Sequence, residues 1–99
     1  MHTQVPKDRE ELFAYPVDWV VIERCNIIKS KMRPWITKKI KEYLGEEEQT
    51  LINFITNKLG QHAGPLEFLS ELKLVLEDEA DVFVQKMWRI LIFYALQNA

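Results

Sequence analysis

The apolar residues of this chain recur at every third and fourth position between proline and glycine stops, and that punctuation constrains the fold more than any other feature. Pro34 opens one segment and Gly45 closes it; Gly60 closes the next, and Gly64–Pro65 starts another. The stripes between the stops are Ile36, Ile40, Tyr43 and Leu44; then Leu51, Phe54, Ile55 and Leu59 behind Glu46, Glu47 and Glu48; then Leu66, Leu69, Leu72, Val75 and Leu76. Proline suits the first helical turn, where its missing N–H has no partner to lose. Glycine suits the end, because it enters the left-handed conformation without a Cβ clash. A helix of about a dozen residues cannot bury its own stripe, so the stripes must cover one another. The pattern predicts an all-α bundle.

Two further segments extend it. Asp18 is placed to cap a helix running to about Ser30, with Trp19, Ile22, Cys25 or Asn26, and Ile28 or Lys29 at helical spacing. A last helix from Asp78 or Glu79 carries Ala80, Phe83, Met87, Leu91 and Tyr94 on one face. Val84, Trp88, Ile90, Ile92 and Phe93 make it apolar nearly all round, which predicts a central position. Upstream, LFAYP (12–16) stops at a proline that disfavours helical geometry at Tyr15, and reads as a strap lying on the domain. Residues 1–11, with charges of both signs around Pro6, read as a flexible lead-in, leaving 12–97 as the folded domain.

The 99 residues suit one hydrophobic core. Cys25 is the only cysteine, so no intrachain disulfide forms, and with His2 and His62 it offers no zinc-ligand spacing. Neither a metal nor any other cofactor is expected. The apolar run Ile90–Leu96 is far short of the ~20 residues of a membrane span. Charge is the informative quantity. The chain carries −2 overall, yet residues 29–41 hold six bases and no acid, while the remainder holds seven bases against fifteen acids, or −8.

Three blocks then carry a family likeness. Pro34-Trp35-Ile36, followed by Thr37, a lysine pair and Leu44-Gly45 with acids, resembles the PWI domain, named for that tripeptide. The run VFVQKMWRILIFY (82–94) resembles the family's closing helix. ELFAYPVDW (11–19) is similar to the version at the C-terminus of RNA-binding-motif splicing factors that also carry an Arg/Glu-rich region. The likeness covers roughly residues 11–96. It implies a four-helix bundle with an additional N-terminal helix, no catalytic activity, a nuclear location in pre-mRNA processing, and low-specificity binding of RNA and of single- and double-stranded DNA. The family's binding is often helped by an adjoining basic segment, whereas here the flank MHTQVPKDREE is mixed in charge and the tail LQNA has no base.

The candidate nucleic-acid contacts are Lys29, Lys31, Arg33, Lys38, Lys39 and Lys41. At about 100° per residue, Lys38 and Lys41 point away from the Ile36–Ile40 stripe, Lys39 lies beside Trp35, and Glu42 falls near Lys38. The bland reading is a solvated helix back filled with lysine. Trp35 reads as packing rather than as a stacking platform for bases, and Trp19 and Trp88 as core. Glu46–Glu48 and Glu77, Asp78, Glu79 and Asp81 lie at helix starts, where negative charge opposes the macrodipole; a metal, or docking of a basic partner segment, is the functional alternative. Cys25 reads as a buried small hydrophobe and His62 as an exposed loop residue. The leading expectation is a nucleic-acid-binding module of a splicing protein, with no small-molecule substrate and no membrane contact. The rival is a protein-docking module within the spliceosome.

Overall fold

A computed structural model describes residues 5–99. The elements are α1 (Arg9–Ala14), α2 (Trp19–Arg24), a π-helical turn (Ile28–Met32), α3 (Arg33–Leu44), α4 (Gln49–Gly60), α5 (Pro65–Leu76) and α6 (Glu79–Gln97). Among the described residues there is no strand, so the all-α expectation holds. Nor, among the described residues, is any helix long and apolar enough to cross a membrane.

Helix α6 is the hub, packed against α1, α2, α3, α5 and the π turn. Its fully enclosed residues, Ala80, Phe83, Val84, Met87, Leu91 and Ile92, meet Leu12, Ile22, Met32, Ile36 and Leu72 in one core. Each buried aliphatic or aromatic side chain there contributes roughly 1.5–3 kcal/mol. Trp88 lies at the centre of an aromatic group, edge-on to Phe68 at 5.9 Å and to Trp19 at 6.4 Å.

Several local expectations need correcting. LFAYP is not a strap: Leu12–Ala14 are helical, in a helix that begins at Arg9 with Asp8 as its cap, and only Tyr15, whose backbone is extended, and Pro16 lie beyond it. Arg9 and Glu11 therefore stand in a helix, inside the segment read as lead-in, and residues 1–4 of that segment lie outside the described residues. The helix capped by Asp18, whose carboxylate accepts from the Val21 N–H, stops at Arg24 rather than near Ser30. Asn26 takes a left-handed φ of 54° and turns the chain, a conformation asparagine tolerates.

The chain then enters α3 through the π turn without a break. The Arg33 N–H reaches Ile28 O, five residues back. Pro34 has no N–H to offer the Ser30 carbonyl, so ordinary α-helical bonding is interrupted at this junction. Gly45 ends α3 at φ 85°, its N–H on Lys41 O. In α4 and α5 the inward faces are rotated from the expected stripes. Ile52, Ile55 and Leu59 are buried in α4, and Phe68, Leu69, Leu72 and Leu76 in α5, while Phe54, Leu66 and Val75 are exposed.

Candidate nucleic-acid interface

The π turn and α3 present the six sequence-predicted bases along one continuous helical run, but they do not share one face. Lys38 and Lys41 are exposed on the back of α3, about 60° apart at 100° per residue, and turned from the buried Ile36 and Ile40. Lys29 and Arg33 flank the α4 side. They line a crevice of about 610 Å³ whose walls include Glu23 and Asn26 from the α2 end and Thr56 and Asn57 from α4. Lys31 lies on the α6 side, its ammonium 5.8 Å from the centre of the Tyr94 ring, a distance at which the ring's negative face still attracts a cation.

Two of the six have strong partners. The Arg33 guanidinium donates to Asn53 Oδ1 at 2.7 Å, Thr56 Oγ1 at 3.2 Å and Gln49 Oε1 at 3.3 Å. All three acceptors are neutral, so the side chain is fixed against α4 and its charge is not cancelled. Lys39, by contrast, sits 3.3 Å from Glu42 Oε1. The sequence wheel placed Glu42 beside Lys38; the structure pairs it with Lys39, one turn back, and Lys38 is left open. Lys29, Lys31, Lys38 and Lys41 have no carboxylate within 4 Å among the described residues.

Trp35 is part of the architecture. Its ring stacks on Phe83 of α6, with centroids 5.5 Å apart and planes 23° from parallel, and Tyr43 meets the same Phe83 edge-on. Pro34-Trp35-Ile36 thus joins α3 to α6, with Ile36 fully buried. Cys25 is half-buried beside the core rather than enclosed.

Sequence reasoning missed two features. His62, with φ 63°, stacks on Trp19 at 4.6 Å with planes 6° apart, and its Nε2 lies 2.6 Å from Glu23 Oε2. A loop histidine carries no local signal that a tryptophan from a distant helix will cover it. The second is a groove between α4 and α5, where Phe54, Leu74 and Val75 face water. The outward Leu74 stood inside an almost continuous apolar run, LKLVL, and could not be told from its buried neighbours. Among the described residues no three His, Cys, Asp or Glu side chains converge as metal ligands.

A compact α-helical domain with one closing central helix, a proline-tryptophan-isoleucine joint and an open basic helix back defines a small all-α bundle. The chain belongs to the PWI domain family, whose profile matches residues 30–98. It is 46% identical over 90 residues to RNA-binding protein 25 of Homo sapiens, an alignment covering 91% of this chain and 11% of that protein. It is likewise 46% identical over 89 residues to RNA-binding motif protein 25 of Arabidopsis thaliana, covering 90% of this chain and 10% of that protein. With the U1 snRNP-associated protein usp107 of Schizosaccharomyces pombe it shares 39% identity over 88 residues, 89% of this chain and 12% of that protein. The chain therefore spans about a tenth of the length of these curated relatives.

Proposed function

We propose that this domain is a non-catalytic, low-specificity nucleic-acid-binding module of a nuclear pre-mRNA splicing protein, with RNA as its main ligand and single- or double-stranded DNA as an alternative one. The observation that carries the reading is the run of unpaired cations: Lys29, Lys31, Lys38 and Lys41 are exposed along one helical run with no carboxylate partner among the described residues. Arg33 joins them as a pre-positioned donor at the crevice mouth, and Lys39, shared with Glu42, contributes less. Ammonium groups on a helix back meet phosphates, which carry no sequence information, so selectivity for a particular transcript falls to other parts of the protein. Family membership supports the reading, as do the names of relatives called RNA-binding proteins and of one called U1 snRNP-associated.

The test is a titration of the isotope-labelled domain with a short RNA at two ionic strengths. Shifts confined to residues 29–41 that weaken with salt support the assignment. Loss of binding in the Lys38→Glu, Lys41→Glu double variant, with the melting temperature unchanged, supports it further. Shifts elsewhere, or salt-independent binding, remove the patch from consideration. The second reading, a protein-docking module among spliceosomal proteins, is favoured by the exposed apolar groove between α4 and α5.

A further inference from the structure

The groove differs from the basic helix back in both polarity and charge. Helix α5 packs chiefly on α6, and α4 on α3 and the π turn, so α4 and α5 are not close-packed against each other. Their seam is bridged at one end by Lys58 of α4, which bonds Glu67 and lies 3.6 Å from Glu71 of α5. Toward the other end the seam opens into a groove of about 580 Å³, floored by Leu51, Phe54, Leu72, Leu74 and Val75. Leu74 is 86% exposed, Val75 45% and Phe54 37%. An isolated exposed leucine needs no explanation, but several contiguous ones do.

The rim supplies the second half of the argument. Residues 46–78 hold seven carboxylates against Lys58 and Lys73, a net of −5. Lys58 already serves Glu67 and Glu71. Glu46, Glu47, Glu48, Glu77 and Asp78 have no ion-pair partner among the described residues. Glu48 lines the groove directly, with Glu46 and Glu47 just before it at the start of α4, and Glu77 and Asp78 follow the end of α5, two and three residues beyond the groove-lining Val75. Helix-start electrostatics account for acids near α4 and α6, but not for the bare leucine and valine between them.

We propose that the α4–α5 groove binds an amphipathic helix of a partner protein, whose apolar face fills the groove and whose lysines or arginines meet Glu46–Glu48, Glu77 and Asp78. Side chains at positions i, i+3 or i+4, and i+7 of such a helix span about 10 Å, and the groove wall that runs from Glu48 to Phe54 along α4 rises about 9 Å at the helical ~1.5 Å per residue. The negative rim rejects phosphate-rich ligands, so nucleic acid and anionic lipid are the wrong sign for this surface. The inference gives chemical content to the protein-docking reading and is independent of the nucleic-acid one, since the two surfaces share none of their named residues.

The test uses the 99-residue domain, isotope-labelled, and a synthetic peptide of about 15 residues with leucines at those positions and lysines flanking them. A control peptide of identical composition has its leucines spread around the helix. The expected result is amide shifts at Leu51, Phe54, Glu71, Leu74 and Val75, with the control binding at least about tenfold more weakly. Leu74→Lys, at a solvent-exposed position, keeps the melting temperature and weakens the designed peptide by about tenfold; Glu48→Lys weakens it as well. Equal binding of both peptides, shifts outside the groove, or no shift at millimolar peptide overturns the proposal. Concentration-dependent shifts of the same residues without peptide assign the groove to a second copy of the domain and overturn it equally. The RNA titration reads residues 29–41, so failure of either assignment is seen separately.

Discussion

The guanidinium of Arg9 holds the carboxylate of Asp81 with two parallel hydrogen bonds, Nε to Oδ1 at 3.0 Å and Nη2 to Oδ2 at 2.9 Å. This pairing ties α1 to the first turn of α6 across most of the chain. Arg89 adds to the same seam by donating to the Lys7 carbonyl at 3.2 Å, and Arg9 lies over the Phe13 ring at 4.8 Å. Geometry of this forked kind is the favourable case for an ion pair at a partly exposed site.

The pair makes acid stability depend on Asp81. Hydrogen bonds first from Arg9 and then from Gln85 hold its carboxyl below the usual carboxylate value of 3.8. A folded-state pKa below the unfolded one contributes stability that is complete above the unfolded value and is lost as pH falls through the folded value. Asp81→Asn is therefore expected to melt earlier than the parent at pH 6, with the gap closing as pH is lowered below about 4. Thermal melts followed by circular dichroism between pH 2 and 6 check this, and parallel curves would refute it.

Trp35→Ala is expected to cost about 3 kcal/mol, because it removes both the buried ring area and the stack on Phe83. Trp35→Phe should retain most of that. Urea denaturation measures the difference. An unchanged midpoint for the alanine variant, together with lost RNA binding, would move Trp35 from packing to base stacking.

The open lysines set a salt dependence. If Lys29, Lys31, Lys38 and Lys41 each touch a phosphate of a duplex, log affinity should fall against log salt with a slope of about −3 to −4. The Lys38→Glu, Lys41→Glu variant should show a slope shallower by about two, measured by fluorescence anisotropy between low and moderate salt. A slope near zero for the parent excludes phosphate contact as the source of binding.

Two glycines should respond with opposite signs. Gly45 caps α3 at φ 85°, where a Cβ has open space but the backbone conformation itself is unfavourable, so Gly45→Ala should destabilise by about 1 kcal/mol. Gly60 is the last helical residue of α4, with no positive φ and nothing within 4 Å of an added Cβ. Gly60→Ala should stabilise by roughly 0.5–1 kcal/mol through the unfolded chain. Denaturant midpoints for both variants give the answer directly.

Leu72 and Leu74 provide the sharpest contrast inside one helix. Leu72 is fully buried, and truncation to alanine should cost about 2–5 kcal/mol. Leu74→Ala, at an exposed site, should change stability by less than about 0.5 kcal/mol. Similar losses for the two would mean that α5 is rotated from its described orientation.

Helix content, the capping roles of Asp18 and Gly45, the central place of α6 and the structural use of Trp35 were all legible in the residues, because each follows from local spacing or from one residue's conformational preference. The α4 and α5 faces were less so. LEFLSELKLVL offers a leucine, phenylalanine or valine in nearly every direction, and choosing Phe68 over Leu66 requires knowing where α6 lies. Asn26 gives a similar lesson: propensity allowed one helix to Ser30, and packing placed a left-handed turn inside it.

The basic strip shows the same division. That six cations follow one another without an acid is a property of the sequence. Which of them stay open was decided in three dimensions: α4 presented neutral acceptors to Arg33, Glu42 turned to Lys39, and Tyr94 came to rest near Lys31. The chain's own pattern determined an all-helical bundle, because helical spacing and its stops are set within a few neighbouring residues. Tertiary structure alone decided which charges remain unpaired and which leucines stay in water, because both depend on contacts between segments far apart in the chain.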